Sequence, residues 1–143
     1  MNEEDAIKYY VEKLEQVFIE ATPAHQTAAI VFEPVQGEGG FIPAPIEWVK
    51  AVREVCDKHG ILMVCDEVQT GWGRSGRMFA SQYFAEAGCA PDIMTTAKSI
   101  AGGIPLSAIV ARKEIMDKVN GGTIGGFVVL HEEDMANIYR LML

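Results

Sequence analysis

The chain has 143 residues, 49% of them hydrophobic and 22% charged, with a formal net charge of −8. That length allows one ordinary domain with a real core, since roughly 70% of the unfolded surface is buried at this size, and the composition excludes a disordered chain. The acidic balance excludes a nucleic-acid binder, which needs clustered Lys and Arg against phosphates, and no apolar run nears the roughly 18 residues of a membrane helix.

Residues 2–20 carry Ile7, Tyr10, Val11, Leu14, Val17 and Phe18 at spacings of three and four, which predicts an amphipathic helix ended by Thr22-Pro23. The run Ala28-Ala29-Ile30-Val31-Phe32 predicts a strand buried on both faces. The Pro/Gly-punctuated stretch 33–40 is expected as a loop. A second helix fits 45–58, with Ile46, Val49, Val52, Val55 and Cys56 on one side, Pro45 in its first turn and Gly60 at its stop. Ile61-Leu62-Met63-Val64-Cys65 is the next strand, and the full-length crossover makes it a parallel neighbour of the first.

A glycine-rich loop at 69–77, a helix near 78–88 presenting Phe79, Tyr83 and Phe84, and a strand at 92–97 ending at Lys98 follow. Beyond the Gly102-Gly103-Ile104-Pro105 turn, a fourth strand is expected at 107–112 and a short helix at 113–119. Met135, Ile138 and Met142 have workable helical spacing in the last segment. The whole predicts an α/β fold, a mostly parallel sheet with flanking helices.

In open α/β sheets ligands sit beyond the carboxyl ends of the strands. Asp66, Glu67, Gln69 and Lys98 fall there, as does the loop from Glu33 to Gly40. From position alone, two readings of a carboxylate and a lysine stand open: a cofactor site, or a surface ion pair worth about 0–1 kcal/mol. His25, His59 and His131 lack ligand spacing, so no metal site is expected. The glycine-rich loop fits no nucleotide fingerprint; it reads as a tight turn shaped by Trp72 and Arg74. The three cysteines, Cys56, Cys65 and Cys89, are an odd number without ligand spacing, and the N-terminal Asn2-Glu3-Glu4-Asp5 has the wrong sign for a secretory signal. Reduced thiols and a cytoplasmic location are the expectation.

Three blocks carry a resemblance. Glu33-Pro34-Val35-Gln36-Gly37-Glu38-Gly39-Gly40, then Asp66-Glu67-Val68-Gln69-Thr70-Gly71-Trp72-Gly73-Arg74-Ser75-Gly76, then Thr96-Ala97-Lys98-Ser99-Ile100-Ala101-Gly102-Gly103 resemble successive blocks of the class III pyridoxal-phosphate-dependent aminotransferases. Their order and approximate spacing match, most closely those of the 4-aminobutyrate branch, over about residues 28–126. The resemblance implies part of the large domain of the fold type I transferases at 1–126, a divergent tail at 127–143, pyridoxal 5'-phosphate as cofactor, and a parent family of homodimers or higher oligomers. It also implies transfer of an amino group from an ω-amino acid to 2-oxoglutarate.

The resemblance assigns roles residue by residue. Lys98 would hold the cofactor's aldehyde covalently and then shuttle a proton, because its amine serves as nucleophile and, at depressed pKa, as base. Asp66 would face the pyridine nitrogen and keep it protonated, an opposite charge favouring the charged form. Val68 would pack on the ring, and Gln69 would hydrogen-bond near the phenolic oxygen. Glu38 would pair with an arginine that alternately binds a dicarboxylate substrate, and Glu33 would support the loop. A strand-end cap for Asp66 and a solvated carboxylate for Glu38 are the plainer alternatives.

The family's phosphate cup, its ring-stacking aromatic and its carboxylate-binding arginine fall outside the matched blocks. At the family's Gly-Gly-Thr, Phe127 stands where the threonine would be, as a truncation or shifted reading frame would leave it. The isolated chain is therefore expected to show little steady turnover. An ornithine- or acetylornithine-type aminotransferase, an aminomutase, or a non-catalytic remnant are the competing readings.

Overall fold

The computed structural model describes residues 2–118 and 128–130. Helix α1 (Glu3–Glu20) opens at Asn2, whose side chain accepts the Asp5 N–H at 2.8 Å, and has three acidic residues in its first turn. Cap and charges both satisfy the positive end of the helix. A 3-10 turn at Ala24–Gln26 leads into β1 (Ala29–Phe32). β2 (Val35–Gln36) and β3 (Ile42–Pro43) form a short antiparallel hairpin where the sequence predicts only a loop. Helix α2 (Ile46–His59) buries Val49, Val52, Val55 and Cys56 and stops at Gly60, whose φ of 68° is left-handed and free for glycine.

β4 (Leu62–Asp66), α3 (Ser81–Glu86), β5 (Ile93–Thr96), β6 (Ala108–Ala111), α4 (Lys113–Met116) and β7 (Val128–Leu130) complete the described chain. The five-stranded sheet has the order β1-β4-β5-β6-β7, parallel except for the antiparallel β5–β6 pair. It is the expected α/β architecture. The antiparallel pair follows from a β5–β6 connection too short for a crossover helix. β7 lies past the boundary drawn at Phe127 yet joins the same sheet through β6. Phe127, His131 and the helical spacing at 135–142 lie outside the described residues, as does Val119 at the end of the expected 113–119 helix.

The core packs α2 against β4. Val49, Val52 and Cys56 meet Ile61, Met63 and Cys65, with Phe84 and Cys89 closing the far side and Leu14 and Phe18 of α1 laid over it. β1 is not buried on both faces as expected: Val31 is 63% exposed, because the face it points to is uncovered there, while Ile30 and Phe32 on the other face pack against the core. α3 is shorter than the predicted 78–88, since residues 80 and 81 give their N–H groups to the Glu67 carboxylate.

All three cysteines are free and buried. Burial pushes each thiol above its ordinary range, and for Cys65 the Glu67 and Asp66 carboxylates push it further. Because the folded pKa lies above the unfolded one, this stabilisation is intact below about pH 8.5 and is lost as pH rises beyond it. The native chain is expected to resist thiol alkylation at pH 8 and to react at all three positions in denaturant. Fast labelling of Cys65 in the folded chain would contradict this packing.

Candidate active site

The carboxyl ends of β1, β4 and β5 open on one cavity of about 220 Å³. Glu33, Glu38, Asp66, Val68, Gln69 and Lys98, all singled out from the sequence, line it together with Gly37 and Phe41. The strand register explains the convergence. Asp66 ends β4 directly opposite Thr95 of β5, three residues ahead of Lys98, and the first loop leaves the neighbouring end of β1.

Asp66 is half-buried, and its Oδ1 accepts the Val68 N–H at 3.0 Å and the Thr95 hydroxyl at 3.2 Å. Oδ2 takes no hydrogen bond among the described residues. Lys98 is exposed and donates its Nζ hydrogen to Gln69 Oε1. It begins a 3-10 turn (Lys98–Ala101) rather than ending the strand, and its φ of 50° is left-handed. Phe41, also in the lining, has φ 56° and Trp72 has φ 66°. For a residue with a Cβ such geometry costs roughly 1 kcal/mol, and backbone strain of this kind gathers at ligand sites.

Four side-chain hydrogen bonds stitch the end of β4 and its following loop to the end of β5 and the segment beyond it. They run Asp66–Thr95, Gln69–Lys98, Trp72–Thr96 (2.7 Å) and Arg74–Ser99 (3.4 Å). On the first loop, Glu33 Oε2 accepts the Gly37 N–H at 2.7 Å and so braces the turn that carries Glu38. Glu38 itself has no ion pair among the described residues.

Sequence reasoning placed the loop from Glu33 to Gly40 at the site but did not single out Phe41 as a wall residue. Phe41 is an aromatic directly after two glycines and 73% exposed, a signal that was present in the sequence. The Gln69–Lys98 contact spans 29 residues and left no local trace. A larger recess of about 680 Å³ lies between α1 and α2, lined by Ile7, Val11 and Ala51 among acidic residues, but contains none of these groups.

The donor set suits an aldehyde-bearing heterocycle with a ring nitrogen. The Lys98 amine and Asp66 Oδ2, which takes no other hydrogen bond among the described residues, line the same space, with Val68 also in the lining. Among the described residues no group of His, Cys, Asp and Glu is arranged to hold a metal ion, and no helix is long and apolar enough to cross a membrane.

The fold is a mostly parallel α/β sheet with an amine and a carboxylate near adjacent strand ends, and the sequence comparison gives it a family. The family model for class-III aminotransferases matches residues 1–129, so the chain belongs to that family; the match begins well before the 28–126 stretch carried by the motifs. It is 49% identical over 116 residues to the 5-aminovalerate aminotransferase DavT of Pseudomonas putida, covering 81% of this chain and 27% of that protein. Against the 4-aminobutyrate aminotransferase GabT of Escherichia coli it is 44% identical over 126 residues, 88% of this chain and 28% of the relative. Proteins named acetylornithine aminotransferases match as well. Among solved structures, an (S)-enantioselective ω-transaminase from Thermomicrobium roseum superposes with a TM-score of 0.73 at 37% identity, over 82% of this chain and 26% of that one. The chain thus spans little more than a quarter of the length of these curated relatives.

Proposed function

We propose that the cavity holds pyridoxal 5'-phosphate and serves amino transfer from an ω-amino acid to 2-oxoglutarate. The observation that carries this is the shared lining of one cavity by Lys98 and Asp66. Bound there, the cofactor supplies an aldehyde to hold an amino group and a protonated ring to draw electrons from the substrate carbon.

The chain's residues would do the rest. Lys98 offers its amine as the covalent anchor and, once released, carries a proton from the substrate carbon. Gln69 receives that amine when it is free, and it would hydrogen-bond near the ring's phenolic oxygen. Asp66 Oδ2 would accept the ring N–H, and its other oxygen is held by the Val68 N–H and the Thr95 hydroxyl, so the carboxylate is already oriented. Val68, in the cavity lining, would cover a ring face. Glu38, exposed and without an ion pair among the described residues, would pair with the arginine that the family resemblance implies, while Glu33 supports its loop.

The ω-amino acid reading is supported by the two relatives named for 5-aminovalerate and 4-aminobutyrate. An acetylornithine-type donor is the second reading, favoured by relatives of that name. The buried free thiols fit a cytoplasmic protein, and the exposed Val31 edge of the sheet fits association into a homodimer or larger assembly.

The test is reduction with borohydride after incubation with pyridoxal phosphate, followed by peptide mass spectrometry. The reduced pyridoxyl group should fall on Lys98. An even spread over all lysines would overturn the proposal. Comparing how fast 4-aminobutyrate and N-acetylornithine bleach the unreduced complex then separates the two donors.

A further inference from the structure

Glu67 carries no assigned role, although it is the most completely buried charged side chain of the described residues, at 0% exposure. It has no cationic partner among them. A buried carboxylate without a cation persists only when hydrogen bonds replace water, and three do. Its Oε1 accepts the Ser81 N–H at 2.5 Å, and its Oε2 accepts the Ala80 N–H at 3.1 Å and the Thr70 hydroxyl at 2.5 Å.

The backbone of Glu67 ties in two more segments. Its N–H donates to Thr95 O of β5 at 2.9 Å, and its carbonyl accepts from Gly71 at 2.9 Å. The Gly71 approach is so close that a Cβ there would stand 2.8 Å from Glu67 O. One residue therefore closes the loop 68–80 on itself and fastens it to the strand that precedes Lys98. Along an extended strand end, successive side chains point to opposite faces, so Asp66 meets the cavity while Glu67 enters the core beneath the same loop.

We propose that Glu67 is a positioning residue whose buried carboxylate locks the 68–80 loop and so holds Gln69 against the Lys98 amine. The proposal rests on the cofactor reading for its consequence, not for its geometry. Each carboxylate oxygen takes a backbone N–H, so the choice of residue is strict. A glutamine would satisfy one of those donors with its oxygen and confront the other with its NH₂ group. Glu67→Gln keeps the size and removes the lock, and Thr70→Val removes only the hydroxyl.

Amide exchange and Lys98 labelling, measured on the 143-residue chain, test this. Glu67→Gln should speed exchange across 68–80 by about tenfold or more, the effect expected when hydrogen bonds to a charged group are lost. Exchange within β4 and β5 should change far less. Thr70→Val should give a smaller rise in the same segment, which covers the case in which Glu67→Gln does not fold. In both variants the preference of pyridoxal phosphate for Lys98 over the other lysines should drop, and Gln69→Leu should reproduce that drop with no change in exchange. Unchanged exchange at 68–80, or an equal rise throughout the sheet in both variants, overturns the proposal. If the wild-type chain shows no Lys98 preference, the cofactor reading fails instead, and the exchange data still decide the role of Glu67.

Discussion

Lys98→Ala is expected to abolish the main site of pyridoxyl attachment while leaving the fold intact. The side chain is exposed and makes a single hydrogen bond, to Gln69, so its removal should change stability by no more than about 0.5 kcal/mol. Six other lysines compete for the aldehyde: Lys8, Lys13, Lys50, Lys58, Lys113 and Lys118. None of them lines the cavity with Asp66. A ring held between Lys98 and Asp66 gains a charge-assisted hydrogen bond that an adduct elsewhere lacks. A tenfold preference needs only about 1.4 kcal/mol of such help. Wild-type labelling at Lys98 should therefore exceed that at any other lysine by about tenfold, and the variant should show only the low, even background.

Asp92→Ala should produce the largest loss of stability. Asp92 is 5% exposed and joins three elements. Oδ2 accepts from Arg53 of α2 at 2.8 Å and from the Met63 N–H of β4 at 2.7 Å, while Oδ1 accepts from Arg112 after β6 at 2.5 Å. Burial alone pulls the Arg53 guanidinium down, and Asp92 with Asp57 more than reverses it, so its pKa is raised. Removing the carboxylate leaves the mostly buried Arg53 guanidinium with only the exposed Asp57 as its ionic partner, at 2.8 Å, and leaves the Met63 N–H unpaired, at a cost of about 2–3 kcal/mol. Arg112 is half exposed and adds little to that figure. Urea unfolding measures it, and a loss under about 1 kcal/mol would show that the pair is far better hydrated than its burial implies.

Much of this molecule could be read from its residues, and the gaps have definite causes. Helix α2 was legible because Val49, Val52, Val55 and Cys56 mark one face and Gly60 supplies a left-handed stop. The parallel pairing of β1 with β4 followed from a full crossover helix. The β2–β3 hairpin was not legible, since two-residue strands among glycines and prolines carry no periodicity. The extent of α3 was misjudged because its start is set by the Glu67 carboxylate, 13 and 14 residues upstream of the N–H groups it binds. Glutamate is so rarely buried without a cation that nothing local marked Glu67 as a core residue.

The site itself divides in the same way. Position at the strand ends and the family resemblance together brought Asp66, Val68, Gln69, Lys98, Glu33 and Glu38 forward, and strand ends explain why one cavity gathers them. The left-handed backbone of Lys98 and its bond to Gln69 arise from contacts between separate loops. No single stretch of sequence encodes them.

An amine at 98 and a carboxylate at 66 gripping one pyridine ring is the claim on which the functional reading stands. The most direct check is an NMR titration of the ring nitrogen, using ¹⁵N-labelled pyridoxal phosphate fixed to Lys98 by borohydride so that affinity no longer matters. In the wild-type adduct the nitrogen should keep its proton to higher pH than in the same adduct of Asp66→Asn. Identical titration curves for the two proteins would contradict the assignment.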